Sequence, residues 1–301
     1  MKSTRTDRLP AAMPQECTLT STASPAYRAL LTAVLQGGFM IALVVVMIIP
    51  FVWMLSTSLK PQEYILQATP QFIPNPATLD SYSQLAERID LGRTFFNSAV
   101  VAVVGTVGQI IISAMAAYAF ARMTWRGRNT VFMLYLATMM IPSVVLVIPQ
   151  FILMRSLGWI NSYPALIVPG LFSAFGVFLL RQSFLGLPRD FEEAAYVDGA
   201  NHFTIFWRII LPLSQPALAT LAVFSFMGLW NAYLWPLFAA RRPEVMTLPV
   251  ALAVLQSGPR ALTEWNMVMA GSVVTVLPIL LVYLVAQRWF VRGVVASGIK
   301  G

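Results

Sequence analysis

Six stretches of the 301-residue chain contain no aspartate, glutamate, lysine or arginine. A helix that crosses a lipid bilayer needs about 20 consecutive apolar residues, and each of these stretches is long enough. Charged residues make up 11% of the chain, against about a quarter in a soluble domain. The pattern predicts an all-α integral membrane protein with six transmembrane helices. The six stretches are residues 29–59, 94–121, 129–154, 156–180, 209–240 and 265–287.

The positive charges predict which side of the membrane each loop faces. Cytoplasmic loops of membrane proteins carry an excess of lysine and arginine. Six helices leave both termini on one side, and placing them in the cytoplasm puts 13 of the 20 basic residues on that side and 7 outside. The sequence therefore predicts cytoplasmic N- and C-termini. The basic residues lie mostly at the ends of apolar segments, so topology accounts for the net charge of +8 and no nucleic-acid partner is expected.

The predicted spans divide the chain into three parts. Residues 1–28 are a polar cytoplasmic tail, residues 29–290 are the six-helix transmembrane domain, and residues 291–301 are a glycine-rich cytoplasmic tail. The transmembrane domain has three long loops, namely the external loops 60–93 and 241–264 and the cytoplasmic loop 186–213.

Prolines predict the backbone in several of these regions. Four prolines in loop 60–93 favour an ordered, extended loop rather than a helix. In loop 241–264, the apolar run Val245–Gln256 is too short to span, and we expect it to pack on the membrane face or on a partner. The third and fourth spans are predicted to bend at their own prolines. These are Pro142, Pro149 and Pro169, which is followed by Gly170.

Several classes of chemistry lack the residues that they need. Cys17 is the one cysteine and His202 the one histidine, so neither a disulfide, a cysteine–histidine metal site nor a Ser/His/Asp triad is expected. No phosphate-binding glycine loop of the G-x-x-x-x-G-K-[ST] kind is present, so we expect no ATP hydrolysis by this chain. The spans also contain no carboxylate or histidine for proton coupling, which disfavours a stand-alone channel or secondary carrier.

Loop 186–213 is the polar, helix-forming segment between two apolar stretches. Asp190 is predicted to cap a first helix, and Glu193 three residues later completes a capping-box pattern. Gly199 is predicted to end the turn after this helix with positive φ, which glycine adopts at no steric cost. A second helix is predicted from about Phe203, and Pro212 is expected to end it. An amphipathic connector lying in the membrane interface is the alternative interpretation.

The fifth span ends in an aromatic segment with one amide. Asn231 offers hydrogen-bond donors and acceptors, and its aromatic neighbours have flat faces on which sugars can stack. An interfacial aromatic belt with one helix–helix hydrogen bond is the simpler alternative. The candidate substrate-path residues are Trp230, Asn231, Tyr233 and Trp235.

The 186–213 loop resembles the "EAA" loop of ABC-importer permease subunits. The resemblance rests on Glu193-Ala194-Ala195, then Gly199, then Ile209 and Leu211-Pro212 at the family's spacing. It implies that the loop docks into a groove on a cytoplasmic ATPase and carries the movement of ATP-driven closure to the membrane helices. The implied ATPase-coupling residues are Glu192, Glu193, Ala194, Ala195, Asp198, Gly199, Ile209, Leu211 and Pro212.

Further motifs are similar to those of the second permease subunit of carbohydrate-uptake importers of the maltose and glycerol-phosphate type. They include Asn97-Ser98, Ala117-Tyr118-Ala119-Phe120-Ala121-Arg122, Asp198-Gly199-Ala200, Trp230-Asn231 and Thr247-Leu248-Pro249. The resemblance implies a type I ABC importer permease fold in a bacterial or archaeal cell membrane. It also implies that the terminal Gly298 and Lys300 reach toward the ATPase pair.

The same resemblance implies the partners. They are a second homologous permease subunit, two ATPase subunits that hold ATP and Mg, and an extracytoplasmic solute-binding protein that delivers a carbohydrate. This chain then needs no cofactor of its own and is a non-catalytic translocation subunit. An importer for another solute class, such as glycerol phosphate, an amino acid or a peptide, is the alternative, because the loop motif is shared among them.

Overall fold

The computed structural model describes residues 25–65, 71–256 and 264–298, and for residues 25–31 and 288–298 it describes the backbone alone. These described residues form helices and connecting turns, with no β-strand among them. The α-helices are α1 (Pro25–Ser58), α2 (Asp80–Arg88), α3 (Leu91–Arg122), α4 (Arg128–Ala137), α5 (Val147–Ser156), α6 (Tyr163–Ile167), α7 (Ala174–Leu185), α8 (Asp190–Val197), α9 (His202–Ile205), α10 (Leu211–Leu213), α11 (Gln215–Trp230), α12 (Leu234–Ala239), α13 (Leu248–Gln256) and α14 (Trp265–Gly298). Short 3₁₀ turns lie at Gln62–Tyr64, Thr138–Met140, Ser143–Leu146 and Val168–Leu171, and a π turn at Phe206–Ile210.

The contacts of the chain separate it into two units between Phe51 and Val52. The first unit contains the larger part of α1, an apolar helix that includes Pro50. Its described side chains are exposed, as lipid-facing side chains of a membrane helix are. The predicted first span, residues 29–59, matches α1 closely.

The six predicted spans take two forms. Three are single helices long and apolar enough to cross a membrane, at Thr32–Ser58, Leu91–Arg122 and Trp265–Gln287. The other three are pairs of shorter helices that meet at a sharp bend, so the described residues hold six spans if each pair counts as one. The pairs are Arg128–Met140 with Ser143–Ser156 (91°), Tyr163–Leu171 with Ala174–Leu185 (42°), and His202–Leu213 with Gln215–Trp230 (80°).

The predicted proline kinks are confirmed at two of three places. Pro142 lies at the 91° bend, and Pro169 lies in the 3₁₀ turn that precedes the 42° bend. Pro149 causes no bend. It lies in the first turn of α5, where backbone N–H groups have no acceptor within the helix, so the N–H that proline lacks costs no hydrogen bond. The 80° bend occurs at Ser214, which the sequence did not mark.

The prediction that loop 60–93 is extended is wrong over its second half. Its prolines all precede residue 77, and beyond them the chain forms α2, whose Leu85 is completely buried. Helix α2 packs against α14. The sequence from Asp80 to Arg88 contains no proline, and it has helix-forming residues and an apolar residue that can be buried. The prolines therefore prevent a helix only in the part of the loop that contains them.

Helix α3 is the centre of the second unit. It packs on α7 and α11, and its small residues allow close approach. At Gly176 of α7, an added Cβ would lie 2.7 Å from Ser113 Oγ of α3. One core cluster joins the C-terminal half of α3 to loop 186–213 through Ala117, Tyr118, Phe184 and Ala195.

Candidate functional site

The first helix of loop 186–213 begins one residue earlier than predicted. Arg189, not Asp190, occupies the cap position, and no side chain caps the helix. The Arg189 carbonyl accepts from the backbone N–H groups of both Glu192 and Glu193, at 2.8 and 3.0 Å. The predicted capping box is therefore wrong, because Asp190 is already helical. Asp190, Glu192 and Glu193 still lie in the first turn, where the helix dipole favours carboxylates.

The two neighbouring glutamates of α8 lie in opposite environments. Glu192 is 7% exposed, and its Oε1 lies 2.9 Å from Nε of Arg122, the last residue of α3. Glu193 and Ala194 are exposed, whereas Ala195 is buried in the core cluster. Of the carboxylates in the predicted motif, Glu192 therefore faces the protein and Glu193 faces outward.

The Arg122 guanidinium also contacts the end of α7. Its Nη2 donates to the carbonyl oxygens of Phe184 and Leu187, at 2.5 and 2.8 Å. The last carbonyls of a helix have no partner within it and carry partial negative charge, so a cation is stable there. The sequence predicts no such role for Arg122. Its position at the end of the Ala-Tyr-Ala-Phe-Ala-Arg motif is the one signal that the sequence offers.

The corner between the two helices has the predicted glycine conformation. Gly199 has φ +81°, which confirms the expectation of positive φ. The second helix is capped by Asn201, whose side chain accepts from Thr204 N–H at 2.8 Å. His202 Nδ1 lies 2.7 Å from the Tyr196 hydroxyl, so a polar contact closes the corner. Asn three residues before Thr204 is an N-cap signal that the sequence reading overlooked.

The second helix runs from His202 to Leu213 and contains a π turn at Phe206–Ile210. The expectation that Pro212 ends it is wrong, because the helix continues to Leu213 and the chain bends at Ser214. Pro212 lies in the last residues of this helix, immediately after the π turn, where the regular i to i−4 hydrogen bonding that a proline interrupts is already broken. Of the motif residues here, Ile209 and Leu211 are partly buried against the core cluster and Pro212 is exposed.

Large apolar side chains of the loop remain exposed. Val197 is 88% exposed and Phe203 is 69% exposed. The rings of Phe203 and Trp207 contact each other, with centroids 6.0 Å apart. Phe191 at the start of α8 is half-exposed as well. A loop whose inner residues are buried in the bundle, and whose outer face keeps such side chains, has the properties of a docking surface.

The four candidate substrate-path residues fall into two pairs. Trp230 is 1% exposed, its ring stacks on Phe226, and its Nε1 donates to the Thr275 carbonyl at 3.0 Å. Trp235 is half-buried and donates to the Ala165 carbonyl at 2.8 Å. The Trp230 indole is therefore enclosed within the chain, whereas Trp235 remains partly exposed. Asn231 and Tyr233 are exposed, and Asn231 donates to the Met227 carbonyl of its own helix.

The motif pairs Asn97-Ser98 and Thr247-Leu248-Pro249 lie together at the other end of α3. Asn97 Nδ2 donates to the carbonyls of Glu244 and Met246, at 3.1 and 2.9 Å, and its Oδ1 accepts from the Tyr163 hydroxyl. Ser98 Oγ accepts from Leu248 N–H at 2.8 Å. These bonds tie the segment before α13 to α3.

Some predicted positions lie outside the described residues. They include Cys17, Lys300 and the tail of residues 1–24, while Gly298 is described only as the last backbone residue of α14. Among the described residues, no group of three or more histidines, cysteines or acidic residues is placed to hold a metal ion.

A family model described as the inner membrane component of binding-protein-dependent transport systems matches residues 109–296. The chain belongs to this family. The match includes the whole of loop 186–213 and confirms the resemblance drawn from its motif. Members of this family are transport permeases, and the chain is accordingly an inner-membrane component of a transport system.

Curated relatives match most of the chain. The arabinooligosaccharides transport system permease protein AraQ of Bacillus subtilis is 35% identical over 87% of this chain and 94% of its own length. The sn-glycerol-3-phosphate transport system permease protein UgpE of Yersinia enterocolitica is 40% identical over 68% of this chain and 73% of its own length. The lactose transport system permease protein LacG of Rhizobium radiobacter is 33% identical over 83% of this chain and 90% of its own length.

A solved structure shares the fold. The crystal structure of a bacterial ABC transporter involved in the import of the acidic polysaccharide alginate contains a chain that matches 89% of this chain and 98% of its own, with a TM-score of 0.73 and 27% identity. The predicted type I ABC permease fold is thereby confirmed.

Proposed function

We propose that this chain is the membrane-spanning translocation subunit of an ATP-driven sugar importer. In this proposal it pairs with a second homologous permease subunit. Two ATPase subunits bind ATP and Mg on the cytoplasmic side, and a solute-binding protein delivers the sugar from outside. The chain itself holds no cofactor and performs no hydrolysis. The names of its relatives AraQ and LacG support sugar as the cargo.

The proposed topology has six spans with both termini in the cytoplasm. The excess of basic residues on that side supports this orientation. It places loop 186–213 where a cytoplasmic ATPase can reach it. Loops 60–93 and 241–264 then face the binding protein.

The observation that carries the proposal is the construction of loop 186–213. Its inner side is fixed to the bundle by the buried Glu192 and Ala195. Its outer side presents the Glu193 carboxylate beside exposed apolar side chains such as Val197 and Phe203. A rigid helix pair with a carboxylate and apolar side chains on its free face suits insertion into a groove on a partner protein.

Reconstitution of the whole complex tests the proposal. The chain, its partner permease, the ATPase and the binding protein are placed in vesicles, and uptake of radiolabelled oligosaccharides is measured with and without ATP. We expect uptake that needs both ATP and the binding protein. Uptake by this chain alone without ATP would overturn the proposal in favour of a carrier.

A second candidate cargo is a polyol phosphate. The relative UgpE, 40% identical, is named for sn-glycerol-3-phosphate transport, which favours this alternative. The same vesicles distinguish the two, because labelled glycerol-3-phosphate can be offered in place of the sugars. Uptake of glycerol-3-phosphate alone would keep the importer and replace the cargo.

A further inference from the structure

The inference concerns Glu192 rather than the motif glutamate Glu193, and it rests on the proposed function. These adjacent carboxylates of α8 face opposite ways, Glu192 into the protein and Glu193 away from it. A carboxylate so deeply buried requires a partner, since desolvation of an isolated charge is costly. Arg122 is that partner, with Nε 2.9 Å from Oε1 of Glu192. The Glu192 carboxylate therefore contacts Arg122 of the same chain rather than a partner protein.

Arg122 joins three helices at one point. It is the last residue of α3, it forms an ion pair with the first turn of α8, and its Nη2 donates to the carbonyls of Phe184 in the last turn of α7 and of Leu187 just beyond that helix. The planar guanidinium thus lies beside a carboxylate at Nε while it donates to two carbonyls from Nη2. A lysine ammonium has neither that reach nor that geometry.

The surroundings of the pair favour a fixed geometry. Ala121, Phe184 and Ala195 belong to the buried apolar cluster at this end of α3. In such a low-dielectric setting a charge pair adds little net stability, and its best-attested use is to specify one arrangement. The other ion pair among the described residues, Arg88 with Glu264, is considerably more exposed. Exposed pairs of that kind contribute little to stability.

The connections on either side of α8 are short turns, and the first of them bonds to α3 through Arg122 itself, at the Leu187 carbonyl. Residues 186–189 precede the helix, and residues 198–201, including Gly199 with φ +81°, follow it. A push on the outer face of α8 would be absorbed in these turns unless a contact held the helix to the bundle. The Arg122–Glu192 pair is positioned to provide that contact.

We propose that the Arg122–Glu192 pair makes α8 move as one body with the ends of α3 and α7, and that Glu192 is a positioning residue for coupling. Through this joint, closure of the ATPase pair moves the two membrane helices. By reciprocity, the same joint carries the signal of a docked binding protein back to the ATPase. Glu193 instead contacts the ATPase directly.

The first test measures rigidity without measuring transport. In the full complex with Cys17→Ser, spin labels are placed by Asp190→Cys on α8 and Met115→Cys on α3, both exposed positions. Distances are measured by double electron–electron resonance with and without ATP. We expect a narrow distribution that ATP does not change, and a broad one after Glu192→Gln. Equally narrow distributions in both proteins, or a wild-type distance that changes with ATP, would overturn the proposal.

The second test measures coupling. In Glu192→Gln and in Arg122→Lys, we expect the ATPase to remain bound while the stimulation of ATP hydrolysis by the binding protein falls about fivefold or more. Arg126→Lys, at an exposed arginine in the turn after α3, should leave the stimulation unchanged, and Glu193→Gln should weaken ATPase binding instead. If basal hydrolysis, stimulated hydrolysis and uptake fall in equal proportion with Glu192→Gln, the pair serves only folding and the proposal fails. If wild type shows no ATP-dependent uptake while the spin-label result holds, the proposed function fails and the joint stands.

Discussion

The loops 186–213 and 241–264 both contain short helices between apolar spans, but they differ in how far their apolar side chains are buried. Helix α13 of the second loop buries Leu248, Val250 and Ala251 against the rest of the chain, where it packs on α3 and α14. The first loop buries its inner residues but leaves Val197 and Phe203 exposed. Large apolar side chains that remain exposed on a helix whose other face is fixed in the core indicate a binding site for a partner protein.

The comparison teaches that an apolar run in a loop does not by itself reveal a docking surface. The sequence predicts that Val245–Gln256 packs on the membrane face or on a partner, whereas in the structure most of this segment packs within the chain. The hydrogen bonds of Asn97 hold the preceding segment in place. We therefore expect substitutions near α13 to affect stability, and substitutions on the outer face of α8 and α9 to affect binding.

Trp230→Ala should show the largest effect. The side chain is almost completely buried, so its removal leaves a cavity and should lower the free energy of unfolding by about 3–5 kcal/mol. Thermal unfolding of the purified chain in detergent measures this. Trp207→Ala is the matched control in loop 186–213, where the ring is 44% exposed, and it should shift the midpoint only slightly. A Trp230→Ala chain of unchanged stability that no longer transports would restore Trp230 as a substrate contact.

Asn97→Ala should come next. It leaves the Glu244 and Met246 carbonyls and the Tyr163 hydroxyl without their partner, and each unsatisfied group costs about 1–3 kcal/mol if it stays buried. Thermal unfolding should show a lowered midpoint, and limited proteolysis should show faster cleavage between α12 and α13. Asn231→Ala removes an exposed amide that bonds only within its own helix, and it should change neither measurement. Equal effects of the two variants would mean that Asn97 does not anchor this segment.

Gly199→Ala should have a modest effect on stability. No atom lies within 4 Å of an added Cβ, so the cost is the backbone strain of φ +81°, about 1–2 kcal/mol for a residue with a side chain. Gly228→Ala is the control of opposite sign, because Gly228 is helical and its Cβ site is also empty, so helix propensity should raise stability by about 1 kcal/mol. Chemical denaturation measures both. A decrease of equal size for the two variants would contradict this account of the corner.

Phe203→Ser should have the smallest effect on stability and a large one on assembly. The side chain is 69% exposed in the chain alone, so the free energy of unfolding should change by no more than about 0.5 kcal/mol. Capture of the ATPase by tagged chain should be lost or greatly reduced. Phe206→Ser, three residues on and buried, should instead lower the unfolding midpoint. Normal ATPase capture by Phe203→Ser would show that this face is not the docking surface.

The sequence by itself determined the number of apolar stretches, the class of fold and the position of the loop that carries the motif. These features depend on local composition, on spacing and on one backbone preference, that of Gly199, so they can be read without coordinates. The same local logic failed at Asp190 and Pro212, where a shift of one residue along the chain decides which group caps or ends a helix. It failed again at α2, because nearby prolines say nothing of a helix that begins after them.

Only the tertiary structure decided which side chains are buried. Glu192 and Glu193 are identical in type and adjacent in sequence, and α8 turns one toward Arg122 and the other away. Trp230 looked available for sugar stacking until the packing of Phe226 and the Thr275 carbonyl enclosed it. Burial depends on residues that are far away along the chain. The partner of Glu192, for example, is Arg122 at the end of α3, seventy residues before it.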